Sequence, residues 1–189
     1  MAFARMVMGR SRLQRVCYRS RQFFRAIMAA RRPLTTDELA LARRHLPATA
    51  WSLFDAMPRA DQRHGLRVLA ALQAIGETEP ALLQAALLHD CAKRVGVRLW
   101  QRVARVLLKA FWPTYLARLA VAPEPDRESW LHGLWLLLHH DIIGAEMAAA
   151  AGCDPLVATL IRHHEAPSLV NDAVVGRLLA ALQTADDDS

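Results

Sequence analysis

Thr78-Glu79-Pro80-Ala81-Leu82-Leu83-Gln84-Ala85-Ala86-Leu87-Leu88-His89-Asp90 is the stretch on which the fold turns. Alanine, leucine and glutamine favour helix. Thr78 is placed to cap it, and Pro80 falls in its first turn, where the missing N–H is no loss. From Ala81 to Leu88 only Gln84 is polar, so the helix is apolar on almost every side and must be buried. It then ends on a histidine beside an aspartate, which are poor packing residues. A charged aspartate is seldom buried unless it is paired or coordinates a cation. Both suit a divalent ion, with imidazole for Zn, Fe, Mn or Ni and carboxylate as a bridge between two ions.

The pattern around this stretch is helical from about residue 35 onward. Thr35 and Glu38 form a capping box that opens a helix towards His45. Pro47 and Pro58 bracket a short helix containing Trp51, Leu53 and Phe54. From about Asp61 to Ile75, Leu66, Leu69, Leu72 and Ile75 recur at helical spacing until Gly76. Further helices are expected at about 98–111, 114–121, 127–139 and 141–151, the last ending at Gly152. Asp154-Pro155 opens another towards His164, and Asn171 opens the last, towards Thr184. No sustained alternation marks a strand. The expected fold is all-α, one helical-bundle domain over residues 34–189 behind a basic extension over residues 1–33.

Composition supports a single globular domain: 189 residues, 53% hydrophobic and 22% charged. The apolar runs are broken by charged residues before the length of a membrane span is reached. Cys17, Cys91 and Cys153 are widely spaced and form no CxxC pair, so neither a disulfide framework nor a thiolate zinc site is expected, and a cytoplasmic location is the default. The net charge of +6 is unevenly spread. Residues 1–33 hold nine arginines and no acid, which leaves −3 on the rest. Arg10, Arg12, Arg15, Arg19, Arg21 and Arg25 alternate with Leu13, Val16, Phe23, Phe24 and Ile27, the pattern of a basic amphipathic helix. Such a helix packs on the domain, contacts anionic membrane or nucleic acid, or serves as a targeting segment.

Eight histidines occur, and several adjoin the apolar face of an expected helix. His64 aligns with Val68 and Leu72, His140 with Gly144, Met147 and Ala151, and His164 with Val157, Leu160 and Ile161. Asp186 closes a face made of Leu178, Leu179 and Leu182. Helical bundles build metal sites from ligands delivered singly by separate helices.

In this order, His64, then His89-Asp90, then His140 and His164, then Asp186, the chain resembles the HD superfamily of metal-dependent phosphohydrolases over about residues 60–187. The resemblance implies one metal held by His64, His89, Asp90 and Asp186. Asp90 would bridge to a second metal held by His140 and His164, with Fe or Mn the usual ions and Zn, Co or Ni acceptable in their place. It favours His140 over His139, because His140 stands four residues before Gly144-Ala145. His163 stands beside His164 as an additional candidate ligand. Lys93 matches the lysine of the family's HD-x-x-K pattern and would stabilise phosphate charge. Asp90 and Lys93 are thus the expected catalytic residues. Arg63, Arg94 and Arg162 adjoin ligands and are candidates for phosphate binding.

The implied activity is hydrolysis of a nucleotide or other small phosphate ester by a two-metal-activated hydroxide. The alternative is a non-catalytic, regulatory HD domain that senses a nucleotide or metal. Ala166-Pro167-Ser168 replaces the Gly-Tyr-Pro segment of the cyclic-dinucleotide phosphodiesterase branch. The His-x-x-x-Gly-Ala spacing is closer to small bacterial HD hydrolases of dinucleoside tetraphosphates, although His164-Glu165 stands where those have His-Thr.

Overall fold

A computed structural model describes residues 33–94, 97–166 and 171–189, without the side chains of Arg94 and Leu99. The basic helix expected in the N-terminal extension therefore lies outside the described residues. Those described form ten α-helices and one 3-10 turn, with no strand among them, so the fold is all-α. In chain order the helices are α1 (Thr36–His45), α2 (Ala48–Asp55), α3 (Arg59–Ala74), α4 (Pro80–Leu88), α5 (Leu99–Phe111), α6 (Pro113–Ala120), α7 (His132–Leu138), α8 (His140–Ala150), α9 (Pro155–His163) and α10 (Ala173–Asp188). The 3-10 turn, Cys91–Arg94, follows α4.

Local chemistry sets most boundaries. The Thr35 hydroxyl accepts from Glu38 N at 3.2 Å while the Glu38 carboxylate accepts from Thr35 N at 2.7 Å, closing the capping box of α1. α3 and α8 each end in a Schellman motif on a glycine of positive φ. At Gly76 (φ 85) the bonds are Gly76 N to Gln73 O and Glu77 N to Leu72 O. At Gly152 (φ 76) they are Gly152 N to Ala149 O and Cys153 N to Ala148 O.

Other ends differ from expectation. Glu79, not Thr78, caps α4, its carboxylate accepting from Ala81 N. α3 starts at Arg59, directly after Pro58. α7 starts only at His132, because Asp126 O and the Ser129 hydroxyl tie the preceding residues into turns. Asp172 rather than Asn171 caps α10, accepting from Val174 N and Val175 N, and the helix continues to Asp188.

α4 is the axis of the domain. Ala81, Leu82, Leu83 and the run Ala85 to Leu88 are all buried, and α4 packs against α3, α9, α1, α2 and α10. Gly65 lets α3 come close: a Cβ there would lie 3.1 Å from Ala86 O and 3.2 Å from Leu87 Cα. At Gly144 a Cβ would meet Ile161 Cγ2 at 3.3 Å and Cys91 Sγ at 3.5 Å, which brings α8 against α9 and the turn after α4. Both glycines stand within a helical turn of an expected ligand, His64 or His140.

Candidate metal centre

The helix ends converge on the turn that follows α4. His64 comes from α3, His89 and Asp90 from the turn itself, and His140 is the first residue of α8. His164 directly follows α9, and Asp186 sits in the last turn of α10. His89, Asp90, His140 and His164 are each at most 5% exposed.

The hydrogen bonds fix the state of three imidazoles. His89 Nδ1 lies 3.0 Å from Ala86 O, His140 Nδ1 2.9 Å from Leu137 O and His164 Nδ1 2.7 Å from Ile161 O. A carbonyl oxygen only accepts, so each Nδ1 carries the proton and, in a neutral ring, each Nε2 is left with a bare lone pair. Those lone pairs meet. His89 Nε2 and His140 Nε2 are each 3.6 Å from Asp90 Oδ1, and His140 Nε2 is 3.3 Å from His164 Nε2. Two bare nitrogens cannot hydrogen-bond to each other. His89 Nε2 and Asp90 Oδ1 are buried and make no hydrogen bond at all, although Lys93 Nζ contacts that oxygen at 2.5 Å as an ion pair.

Only a cation, or an added proton, relieves such an arrangement. Ligand atoms each about 2.1 Å from one ion stand about 3.0–3.4 Å apart at angles of 90–110°, so these separations need to contract by only a few tenths of an ångström. The potential ligand atoms form two groups that share the aspartate, one of His64, His89 and Asp90, the other of Asp90, His140 and His164, each within 4.8 Å. Asp186 adjoins the first group, with Oδ1 2.6 Å from His64 Nε2 and 3.5 Å from His89 Nε2. The donor set of imidazole nitrogen and carboxylate oxygen suits a divalent transition ion.

The electrostatics agree. Burial pushes the imidazoles of His140 and His164 below their ordinary value, so they stay neutral ligands. Burial also disfavours charge on His89, but the Asp90 and Asp186 carboxylates override it and hold that ring up to about 9. A proton is thus drawn to the place where a cation would balance the carboxylates. Against its burial, Asp90 is kept well below the usual carboxylate range by Lys93, His89 and His140. Asp186 is likewise lowered, against burial, by its hydrogen bond to His64 and by the nearby His89.

The neighbouring candidates take other positions. His139 gives Nδ1 to Trp135 O at 2.9 Å and stacks on that indole, with centroids 4.1 Å apart. Its non-helical backbone (φ −117, ψ 11) breaks α7 from α8 and frees His140 to turn inward. His163 joins neither ligand group. Arg162 lies 4.0 Å from Glu146 on α8. Arg63 is directed to Pro33 O at 2.9 Å and to Glu38, and the Arg94 side chain lies outside the described residues.

Two residues unforeseen in the sequence complete the surroundings. Glu165 Oε1 lies 3.7 Å from His140 Nε2, and Arg105 Nη2 holds the two oxygens of that carboxylate at 2.6 and 2.5 Å. Burial would raise the Glu165 carboxyl, but Arg105 and Lys93 hold it below its ordinary value. Behind them, Arg102 clamps the buried Asp61 through two bonds of 2.7 and 2.6 Å and donates to Lys93 O at 3.4 Å, tying α5 to α3 and to the Lys93 turn. The centre opens into a cleft of about 300 Å³ whose lining includes Lys93, Arg105, Lys109, His164, Asp186 and Asp187. Comparison with protein-family models, with curated proteins and with solved structures finds no match to this chain.

Proposed function

We propose that the chain is a metal-dependent phosphohydrolase of the HD type, acting on a nucleotide or another small phosphate ester through two divalent ions that share Asp90. The observation that carries this reading is the convergence of three buried imidazole Nε2 atoms on the shared carboxylate of Asp90. His64, His89 and Asp186 would complete one position, and His140 and His164 the other. Ions held there would supply an activated water at neutral pH and neutralise charge on phosphoryl oxygens.

The chain's own residues do the rest. The carbonyls of Ala86, Leu137 and Ile161 lock three imidazoles in the tautomer that presents Nε2. Lys93 and Arg105 put positive charge on the wall of an open, polar cleft, where a phosphate ester would be oriented against the centre. Lys93, which is paired with Asp90, would be free to contact the substrate if bound ions neutralised that carboxylate. The size of the cleft suits a small phosphate ester.

The test is a panel of nucleotides and phosphate esters offered to metal-loaded wild type and to Asp90→Ala. Turnover of at least one class by wild type and none by the variant is expected. Full metal loading with no turnover across the panel would replace this reading with a regulatory, ligand-sensing domain.

A further inference from the structure

α5 is amphipathic the wrong way round for a soluble domain. Trp100, Ala104, Leu107 and Phe111 follow at i, i+4, i+7 and i+11 and share one stripe of the helix. That stripe faces outward: Trp100 is 43% exposed, Leu107 39% and Phe111 46%. The polar side faces inward, where Gln101 is buried, Arg102 is clamped on Asp61 and Arg105 on Glu165. The apolar surface then continues without a break in the chain, through Trp112 (61% exposed) to Tyr115 on α6, a helix with no buried residue. Trp130 stacks loosely beside Trp100, with centroids 6.1 Å apart. Single exposed apolar residues are ordinary, but a contiguous aromatic patch marks a contact surface.

The charge around the patch identifies what it contacts. Along α5, Trp112 and α6 the chain has no acidic residue, and Arg98 and Arg118 are exposed there. Lys109 lies on the opposite side of α5, and beside Trp130 the exposed Arg127 and Glu128 balance in charge. A second copy would set basic rim against basic rim. The chain's own residues 1–33, with nine arginines and no acid, would be repelled in the same way. An anionic lipid surface matches both features, because tryptophan and tyrosine settle at headgroup depth and lysine and arginine bind the lipid charge. No helix among the described residues is long and apolar enough to cross a membrane, so the contact is with one leaflet.

We propose that α5, Trp112 and α6 form a docking face that lies on an anionic membrane surface. The inner side of the same α5 supplies Arg105 and Lys109 to the metal-centre cleft, so docking brings that cleft to the lipid surface. This inference does not rest on the phosphohydrolase reading.

The test uses the full chain with vesicles of phosphatidylcholine alone or mixed with phosphatidylglycerol. All five tryptophans lie beyond residue 50, so quenching by brominated acyl chains reports the folded domain and not the basic extension. Expected are binding to the mixed vesicles, quenching that falls in Trp112→Phe, and affinity at least about tenfold weaker in the triple variant Leu107→Ser/Phe111→Ser/Tyr115→Ser. Arg118→Glu leaves every apolar contact in place and should weaken binding to mixed vesicles without lowering the melting temperature. Binding without tryptophan quenching would overturn the proposal, as would a dimer that the triple variant abolishes, or retention on single-stranded DNA in place of vesicles.

Discussion

Gly65→Ala and Gly176→Ala make the same change inside two helices and should have opposite effects. Neither glycine has a positive φ, so alanine suits both backbones and gains about 1 kcal/mol in helix propensity. At Gly176 nothing lies within 4 Å of the new methyl group, and that gain stands. At Gly65 the methyl carbon would sit 3.1 Å from Ala86 O, 3.2 Å from Leu87 Cα and 3.2 Å from Leu87 O. These are backbone atoms of the central helix and cannot rotate aside, so α3 must move. Overpacking of this kind costs about 1–3 kcal/mol, which offsets the propensity gain and leaves a net loss of up to about 2 kcal/mol. For a domain of this size that lowers the melting temperature by up to roughly 8 °C. The same displacement draws His64 away from His89, whose rings are 5.2 Å apart, so metal retention should fall in Gly65→Ala and not in Gly176→Ala. Thermal and urea unfolding of the metal-free proteins, with metal content by mass spectrometry, measure both effects. Gly65→Ala melting at or above wild type would refute the close-approach argument.

Asp61→Ala should destabilise the fold by about 3 kcal/mol in urea titrations, because it strands the Arg102 guanidinium in a largely shielded site (side chain 17% exposed). The double variant Asp61→Leu/Arg102→Met should recover much of that loss. His140→Ala should lower bound metal, whereas His139→Ala should keep it and lose the stack on Trp135 and the hydrogen bond to its carbonyl; equal loss in both would contradict the geometry. The carboxylates of Asp90 and Asp186 raise His89 to about 9 against its burial, so below that pH a proton competes with the cation. Metal affinity should therefore rise with pH and level off above about 9, with about one proton released per chain at pH 7. Titration calorimetry in buffers of different ionisation enthalpy reads this number, and no release at pH 7 would contradict it.

What was legible in the sequence was local. The capping box of Thr35 and Glu38, the apolar run of α4 and the glycine stops at Gly76 and Gly152 are short-range patterns, and the structure contains each of them. The approach of His64, His89, Asp90, His140, His164 and Asp186 was what the resemblance implied, supported by the apolar faces that several of them end. Pairings distant in the chain had no such signal: Arg105 and Glu165 are 60 positions apart, and Asp61 and Arg102 are 41 apart. Helix ends were blurred wherever two capping residues adjoin, as at Thr78 and Glu79 or Asn171 and Asp172. The resemblance already favoured His140 over His139, but the backbone break at His139 that turns His140 inward is encoded by no periodicity. Periodicity placed α5 as a helix, but the burial of its polar side follows from Asp61 and Glu165, which lie on other elements.

The central claim is that one carboxylate, Asp90, joins two cation positions. Anomalous diffraction from metal-loaded crystals, collected on either side of the metal's absorption edge, tests it most directly. The account predicts two peaks flanking Asp90, one beside His64, His89 and Asp186 and the other beside His140 and His164. No peak in the cluster, or peaks that leave Asp90 outside the coordination sphere, would contradict it.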